Sequence, residues 1–294
     1  MITTGEYQPV ITPADVFEKS GTFSNGFIKC MNVFGFYYFF VMTLLVYLAI
    51  IFLAPDVYDA NSSPVMCLAT YSLFSILANF FLCRTYKPFY TPTSDINLPQ
   101  NVWRQCSYCQ HPQPPRCHHC PLCHHCIPKR DHHCFFTGIC IGELNQGYFA
   151  IYCLHCAVGL LLGFSTLSDY LSSTYYEVFS LDFYHYFPPF SLMKLITGYL
   201  DYATFYHSFL LVCSFFTGIF SLFLFIWELV LIAGDLTPHE LSLWWSSGKR
   251  SWAKIRPLYN FQKTFGSYWF LNFLIPMPGR GISHNHQSIL KQLF

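Results

Sequence analysis

The chain has 294 residues, 53% of them hydrophobic and only 11% charged, with a formal net charge of +1. A globular domain carries about 25% charged residues, so an ordinary water-soluble domain is excluded and a membrane protein expected, in line with a mean hydropathy of +0.34. The near-zero net charge offers no basic field of the kind a nucleic-acid partner requires, and none is expected.

Residues 1–32 read as an N-terminal arm. They carry Pro9 and Pro13 and lack the basic start and apolar run of a cleavable signal peptide. The run from Val33 to Leu53 has 21 residues without a charge, enough to cross a hydrocarbon core about 30 Å thick. Pro55-Asp56 ends it, and a second uncharged run of 19 residues extends from Val65 to Cys83. The link over 54–64 is short, which predicts an antiparallel helical hairpin. Residues 84–146 are polar and rich in Cys and His. A third apolar run covers Gly147 to Leu167. Residues 168–204, rich in Tyr and Phe and interrupted by Pro188-Pro189, read as a loop at the bilayer interface. A fourth run starts at Phe209 and continues past Glu228 to about Ala233. The tail, 234–294, is polar and amphipathic. Within it Trp244, Trp245 and Trp252 with Lys249, Arg250 and Lys254 read as an interfacial belt, and the stretch from Phe265 to Ile275 is too short to span.

The expected fold is therefore an α-helical polytopic membrane protein with four transmembrane helices and a cytosolic Cys/His domain between helices 2 and 3. Its parts are an arm (1–32), a transmembrane hairpin (33–83), the Cys/His domain (84–146), the third and fourth spans with their lumenal loop (147–233), and the tail (234–294). Basic residues set the orientation. The loops 54–64 and 168–204 hold Lys194 alone against Asp56, Asp59, Asp169, Glu177, Asp182 and Asp201. Both termini and the Cys/His domain are then cytosolic. The sequon Asn61-Ser62-Ser63 lies so close to two spans that it is expected to stay unused.

The Cys/His domain reads CSYCQHPQPPRCHHCPLCHHCIPKRDHHCFFTGIC from Cys106 to Cys140 and holds 8 of the 14 cysteines and 7 of the 13 histidines. In a reducing compartment such a cluster binds metal rather than forming disulfides. Two tetrahedral zinc sites need eight ligands. Cys106, Cys109, Cys120, Cys123, Cys126 and Cys140 offer six thiolates, two histidines complete the sets, and Cys117 and Cys134 are left over. Spacing alone does not choose among His118, His119, His124, His125, His132 and His133. Asp131-His132-His133-Cys134 places a carboxylate, imidazoles and a thiol within four residues. An imidazole lowers a thiol's pKa and takes its proton, and a carboxylate on the far ring nitrogen fixes the tautomer. The competing reading makes Cys134 one more metal-capable thiol.

The segment resembles the cysteine-rich domain of the DHHC-type protein S-acyltransferases. The resemblance runs through Cys106-x2-Cys109, Pro114-Pro115-Arg116, His118-His119-Cys120-x2-Cys123-x2-Cys126, Asp131-His132-His133-Cys134 and Cys140-x-Gly142-x2-Asn145-x3-Phe149. In the tail, Thr237-Pro238-His239-Glu240 is similar to the family's Thr-Thr-x-Glu, with Pro for the second Thr, and Asn260 followed by Phe265-Gly266 is similar to a later motif. The chain departs from the family at Phe135-Phe136, where Pro-Trp is usual, and at Gly138-Ile139, where Asn-Asn is usual, and so resembles a divergent subgroup.

The resemblance implies two structural zinc ions, one on Cys106, Cys109, His119 and Cys126, the other on Cys120, Cys123, His133 and Cys140. It implies Cys134 as nucleophile, His132 as base and Asp131 as its orienting partner, with Cys117 spare. The implied activity is protein-cysteine S-palmitoylation by ping-pong transfer from acyl-CoA (palmitoyl-CoA) through acyl-Cys134. Arg116, Lys129 and Arg130, with Arg84 and Lys87, would face the phosphates of CoA. Partners are then the bilayer, acyl-CoA and cytosolic or membrane-bound proteins with accessible cysteines. The location would be endomembranes (ER or Golgi) or the plasma membrane. The alternative is a catalytically weak, zinc-stabilised membrane scaffold of the same family. A RING-like ligase needs a longer gap than that between Cys109 and Cys120, and a zinc transporter needs more intramembrane ligands than His155 and Glu228. Glu228 is expected to reach interfacial water, His155 and His207 to be packed, and His124 and His125 to lie on the surface.

Overall fold

The computed structural model describes residues 25–92, 104–247 and 256–279. In chain order these form α1 (Asn25–Tyr58), α2 (Ser62–Thr85), six short strands, α3 (Gln146–Thr174), α4 (Pro188–Ile196), α5 (Tyr202–Gly234), α6 (Pro238–Ser247), α7 (Pro257–Phe265) and α8 (Trp269–Asn272). Most of the expected arm, and Lys249, Arg250, Trp252 and Lys254 of the expected belt, lie outside the described residues.

Among the described residues, three apolar helical stretches are long enough to cross a membrane: Cys30–Thr85, Gln146–Thr174 and Tyr202–Gly234. The first has 56 residues, about 84 Å of helix at the usual rise and nearly three times a hydrocarbon core. It does not run straight. Asp59 takes a left-handed φ of 46° in a one-turn 3-10 helix, Asp59–Asn61, and α1 packs back along α2.

Helix α3 is the centre of the bundle and packs on α1, α2 and α5. Its Gly163 lets α1 come close: a Cβ there would stand 2.2 Å from Val46 Cγ1. Phe34, Tyr37, Leu44 and Phe52 of α1 and Phe216, Phe220 and Phe223 of α5 point outward and are exposed. That apolar band is an aggregation hazard in water and the ordinary outer surface of a bundle in lipid.

The expected aromatic loop over 168–204 is a folded cap instead. Helix α3 runs on to Thr174, and a 3-10 turn, Leu181–Tyr186, leads into α4. Pro188-Pro189, which suggested an interrupted loop, opens α4 in the first helical turn, where a missing N–H costs nothing. Tyr186 is wholly buried, and its hydroxyl accepts from the Tyr176 N–H at 2.9 Å.

Between α2 and α3 the described residues form three antiparallel hairpins: β1 (Arg104–Gln105) with β2 (Pro112–Gln113), β3 (Cys117–Cys120) with β4 (His125–Pro128), and β5 (His133–Cys134) with β6 (Ile139–Cys140). Their registers repeat every fourteen residues: Gln105 pairs with Pro112, His119 with Cys126, His133 with Cys140. The tail returns to the bundle. Helix α7 packs on α5, Phe273 O meets His155 Nε2 at 3.0 Å, and Tyr71 Oη donates to Leu274 O at 2.6 Å.

Candidate active site and metal centres

The hairpin repeat brings the ligands together. Cys106 Sγ, Cys109 Sγ and Cys126 Sγ lie 3.7, 3.3 and 3.9 Å from His119 Nδ1. Cys120 Sγ, Cys123 Sγ and Cys140 Sγ lie 3.7, 3.3 and 3.8 Å from His133 Nδ1. Within each set the donor atoms all fall within 4.8 Å of one another. A tetrahedral zinc separates its sulfur and nitrogen ligands by about 3.6 Å, so both sets fit a structural zinc ion. Every member of the second set stands fourteen positions after its counterpart in the first. Each set takes two thiols from the turn of one hairpin and a His and a Cys from the base of the next, so the sites interlock. Beyond the ligands, Asn32 Oδ1 of α1 lies 3.2 Å from His133 Nε2 and orients that ring.

Within the Cys106–Cys140 segment two thiols remain outside the sets. Cys117 is buried beside Tyr90, and burial together with the neighbouring thiols keeps its pKa well above the ordinary range. Cys134 is different. The fourteen-residue period carries Cys106 to Cys120 and then to Cys134, and Cys109 to Cys123 and then to Thr137. The backbone repeats too: Gln110, His124 and Gly138 all take a left-handed φ, of 54°, 55° and 68°. Cys134 therefore heads a third metal-type turn. No fourth hairpin follows among the described residues, because Gln146 begins α3. In the first turn the Cys109 N–H points at Cys106 Sγ at 3.3 Å, and the Thr137 N–H does the same for Cys134.

Cys134 is 4% exposed and joins the apolar core with Phe80, Phe149 and Tyr152, and Phe136 packs beside it. His132 Nδ1 faces Asp131 Oδ1 at 3.1 Å, and the same imidazole acts on the Cys134 thiol beside it. Burial alone would raise the Cys134 thiol, but His132 and Thr137 override it and lower the thiol below its ordinary value. Burial likewise opposes a charged His132, yet Asp131 and the sulfur of Cys134 raise it well above the ordinary imidazole. Both shifts favour a thiolate beside an imidazolium. Gly35 of α1 lies over the turn, where a Cβ would come 3.0 Å from Phe135 O. Arg84 donates to Thr137 O from the other side and sits 5.8 Å from the Phe36 and Phe80 ring centroids.

The basic residues are largely engaged. Arg116 forks onto Glu240, Nε to Oε1 at 2.6 Å and Nη2 to Oε2 at 2.7 Å, and reaches Asp235 Oδ2 at 3.3 Å. Lys129 pairs with Asp235 at 2.7 Å and Glu143 at 3.1 Å. Arg130 Nε is buried without a partner among the described residues. Thr237 and Glu240 form a capping box for α6: the Thr237 N–H donates to Glu240 Oε2 at 2.8 Å, and the Glu240 N–H to Thr237 Oγ1 at 3.2 Å. Pro238 takes the first helical position between them.

The expectation that Glu228 reaches interfacial water is corrected. Its side chain is fully buried in α5 and turned inward, onto Asp131 and Gln146. Asn145 was legible as part of a motif but not in its role. Its amide donates to Cys83 O and Cys140 O, both at 3.1 Å, and its oxygen accepts from Gly142 N at 2.9 Å. His124 and His125 are exposed, and His155 is buried against the tail.

The family model described as DHHC palmitoyltransferase matches residues 100–244. Palmitoyltransferase ZDHHC22 of Mus musculus is 26% identical over 270 residues, 89% of this chain and 98% of that protein. Its Homo sapiens namesake is 27% identical over 158 residues, 52% of this chain and 57% of that protein. The Rattus norvegicus protein is 26% identical over 186 residues, 61% and 67% of the two chains.

Proposed function

The chain belongs to the DHHC-type palmitoyltransferase family, and on that premise we propose that it is a protein-cysteine S-palmitoyltransferase working through an acyl-Cys134 intermediate. The observation that carries this reading is a buried thiol outside both zinc sets, lowered below its ordinary value by a neighbouring imidazole that a buried carboxylate orients. The Cys134 thiolate attacks the carbonyl carbon of the acyl-CoA thioester. As the tetrahedral adduct collapses, the carbon–sulfur bond to CoA breaks, and His132 returns a proton to the leaving thiolate. A substrate cysteine then loses its proton to His132 and attacks the acyl-enzyme, and the bond to Cys134 breaks in turn. Zinc on the two Cys3His sets would fix the hairpins that hold this geometry and takes no part in either step.

Four crossings suit the hairpin of α1 and α2 followed by α3 and α5, with the Cys-rich domain and both termini in the cytosol. The working division is then an arm (1–32), hairpin (33–83), catalytic domain (84–146), second helix pair (147–233) and tail (234–294). An acyl chain gains about 0.8 kcal/mol per buried CH2, which favours its lying among the helices below Cys134, beside Phe136 and Tyr152. Lys129 and Arg130 are proposed to face the CoA phosphates. Arg116, committed to Glu240, holds that surface in place. Substrates are cytosolic or membrane-bound proteins with accessible cysteines, on endomembranes or the plasma membrane. The test is mass spectrometry of the purified chain with palmitoyl-CoA. The Cys134 peptide should gain an acyl mass that hydroxylamine removes, and Cys134→Ser should not. Hydroxylamine-sensitive label retained by Cys134→Ser would end this reading, and a wild-type chain that takes up no acyl group would favour a scaffold.

A further inference from the structure

Resting on the reading of Cys134 as the acyl-accepting thiol, we propose that Glu228 is a positioning residue for the Cys134–His132–Asp131 constellation, its carboxyl hydrogen-bonding the Asp131 oxygen that His132 leaves free. Glu228 comes from α5, 97 positions along the chain from Asp131, and is 0% exposed. Gln146, the first residue of α3, donates from Nε2 to Glu228 Oε2 at 3.0 Å. The Asp131 side chain is 4% exposed, and its Oδ1 takes the N–H of His132. Two oxygens are then left over, Asp131 Oδ2 and Glu228 Oε1. Each is buried, and no other group among the described residues donates to it. The groups of Asp131, His132 and Glu228 all lie within 4.8 Å of one another.

An orphaned buried oxygen costs about 1–3 kcal/mol, and two facing carboxylate oxygens would repel as well. A single O–H···O bond removes both problems. Asp131 must remain an acceptor toward His132, and Glu228 has only a neutral amide on its other oxygen, so Glu228 is the donor. The result fixes Asp131 from both sides. One oxygen aligns the His132 ring on Cys134, and the other is anchored through Glu228 and Gln146 to α5 and α3.

The experiment measures acyl-Cys134 formation on the full-length chain in nanodiscs over a range of palmitoyl-CoA concentrations. Glu228→Gln keeps a donor for Asp131 and an acceptor for Gln146 and should stay within about threefold of wild type, whereas Glu228→Leu should lower the maximal rate by about 30-fold with the half-saturating concentration unchanged. Gln146→Leu, which frees Glu228 without touching Asp131, should cost about threefold to tenfold. Zinc content should stay at two per chain in each variant. If Glu228→Leu does not hold its zinc, Gln146→Leu decides. Wild-type rates in the leucine variants would overturn the proposal. So would a Glu228→Gln enzyme as slow as Glu228→Leu, or a third bound metal in the wild type that Glu228→Gln loses. A wild-type chain that acylates a residue other than Cys134 would instead defeat the functional reading on which the proposal stands.

Discussion

The acyl transfer proposed for Cys134 needs a thiolate, and a thiol sunk in an apolar core resists becoming one. The turn that Cys134 heads offsets that resistance because it is built like the two metal-type turns before it, with the Thr137 N–H stabilising the sulfur and His132 in place of an ion. An ordinary thiol is about 3% ionised at pH 7. With its pKa lowered, Cys134 should reach full reactivity at a lower pH than a free thiol, and His132→Ala should move that profile back upward. The measurement is the iodoacetamide alkylation rate of the Cys134 peptide between pH 5.5 and 9, and coincident profiles for the two proteins would contradict the thiolate–imidazolium pair. Cys117 gives the opposite control. It is buried but held as a neutral thiol. Cys117→Ser should therefore keep two zinc ions and near-wild-type acylation, at about 1–2 kcal/mol in stability, whereas Cys120→Ser should lose metal, as counted by plasma mass spectrometry. Composition and ligand arithmetic reached the remainder of two thiols, and the fourteen-residue period, legible in the sequence, is the signal that separates them. The Glu228 contact was not legible, because nothing local links a carboxylate in an apolar helix to a residue 97 positions earlier.

Among the elements, the long helices followed from uncharged runs, while the three β-hairpins and the cap over 175–201 did not: the strands are only two to four residues long, and the cap is held by the buried Tyr186, which accepts from the Tyr176 N–H, and by a helix that begins with proline. The tail is joined to the hairpins by Arg116, whose fork on Glu240 a lysine cannot copy. Arg116→Lys should loosen α6 and cost about 1 kcal/mol, the pair being partly exposed. Burial would raise the Glu240 carboxyl, but Arg116 overrides it and holds it below the ordinary carboxylate range. A group depressed in the folded state stabilises above its unfolded pKa, about 4.3, and loses that contribution as pH falls through the folded value. The melting-temperature gap between wild type and Glu240→Gln should accordingly be full at pH 6–7 and shrink below about pH 4.5. A gap that widens on acidification would show that the ion pair is not what holds the tail.

Across the whole molecule, the apolar bundle and the zinc-type hairpins could have been two bodies on a tether, and the sequence permits that reading. They are one body because Asn145, buried at the head of α3, donates to the last turn of α2 through Cys83 O and to the second zinc set through Cys140 O. Asn32 from α1 adds a further link to the ring of His133 in that set. Asn145→Ala removes three buried hydrogen bonds and leaves Cys83 O, Cys140 O and Gly142 N exposed to the loss, which should cost about 2–4 kcal/mol. If bundle and hairpins are coupled, that cost must appear at the metal, although Asn145 is not a ligand. Zinc should leave Asn145→Ala at least about tenfold faster than wild type under a colorimetric chelator. The faster release should come from one of the two ions, the one on Cys120, Cys123, His133 and Cys140, because Cys140 alone in that network touches both Asn145 and the metal set. Equal release of both ions would mean that the bundle only carries the hairpins. Biphasic release, with one fast and one unchanged phase, is what a helix-braced second site requires.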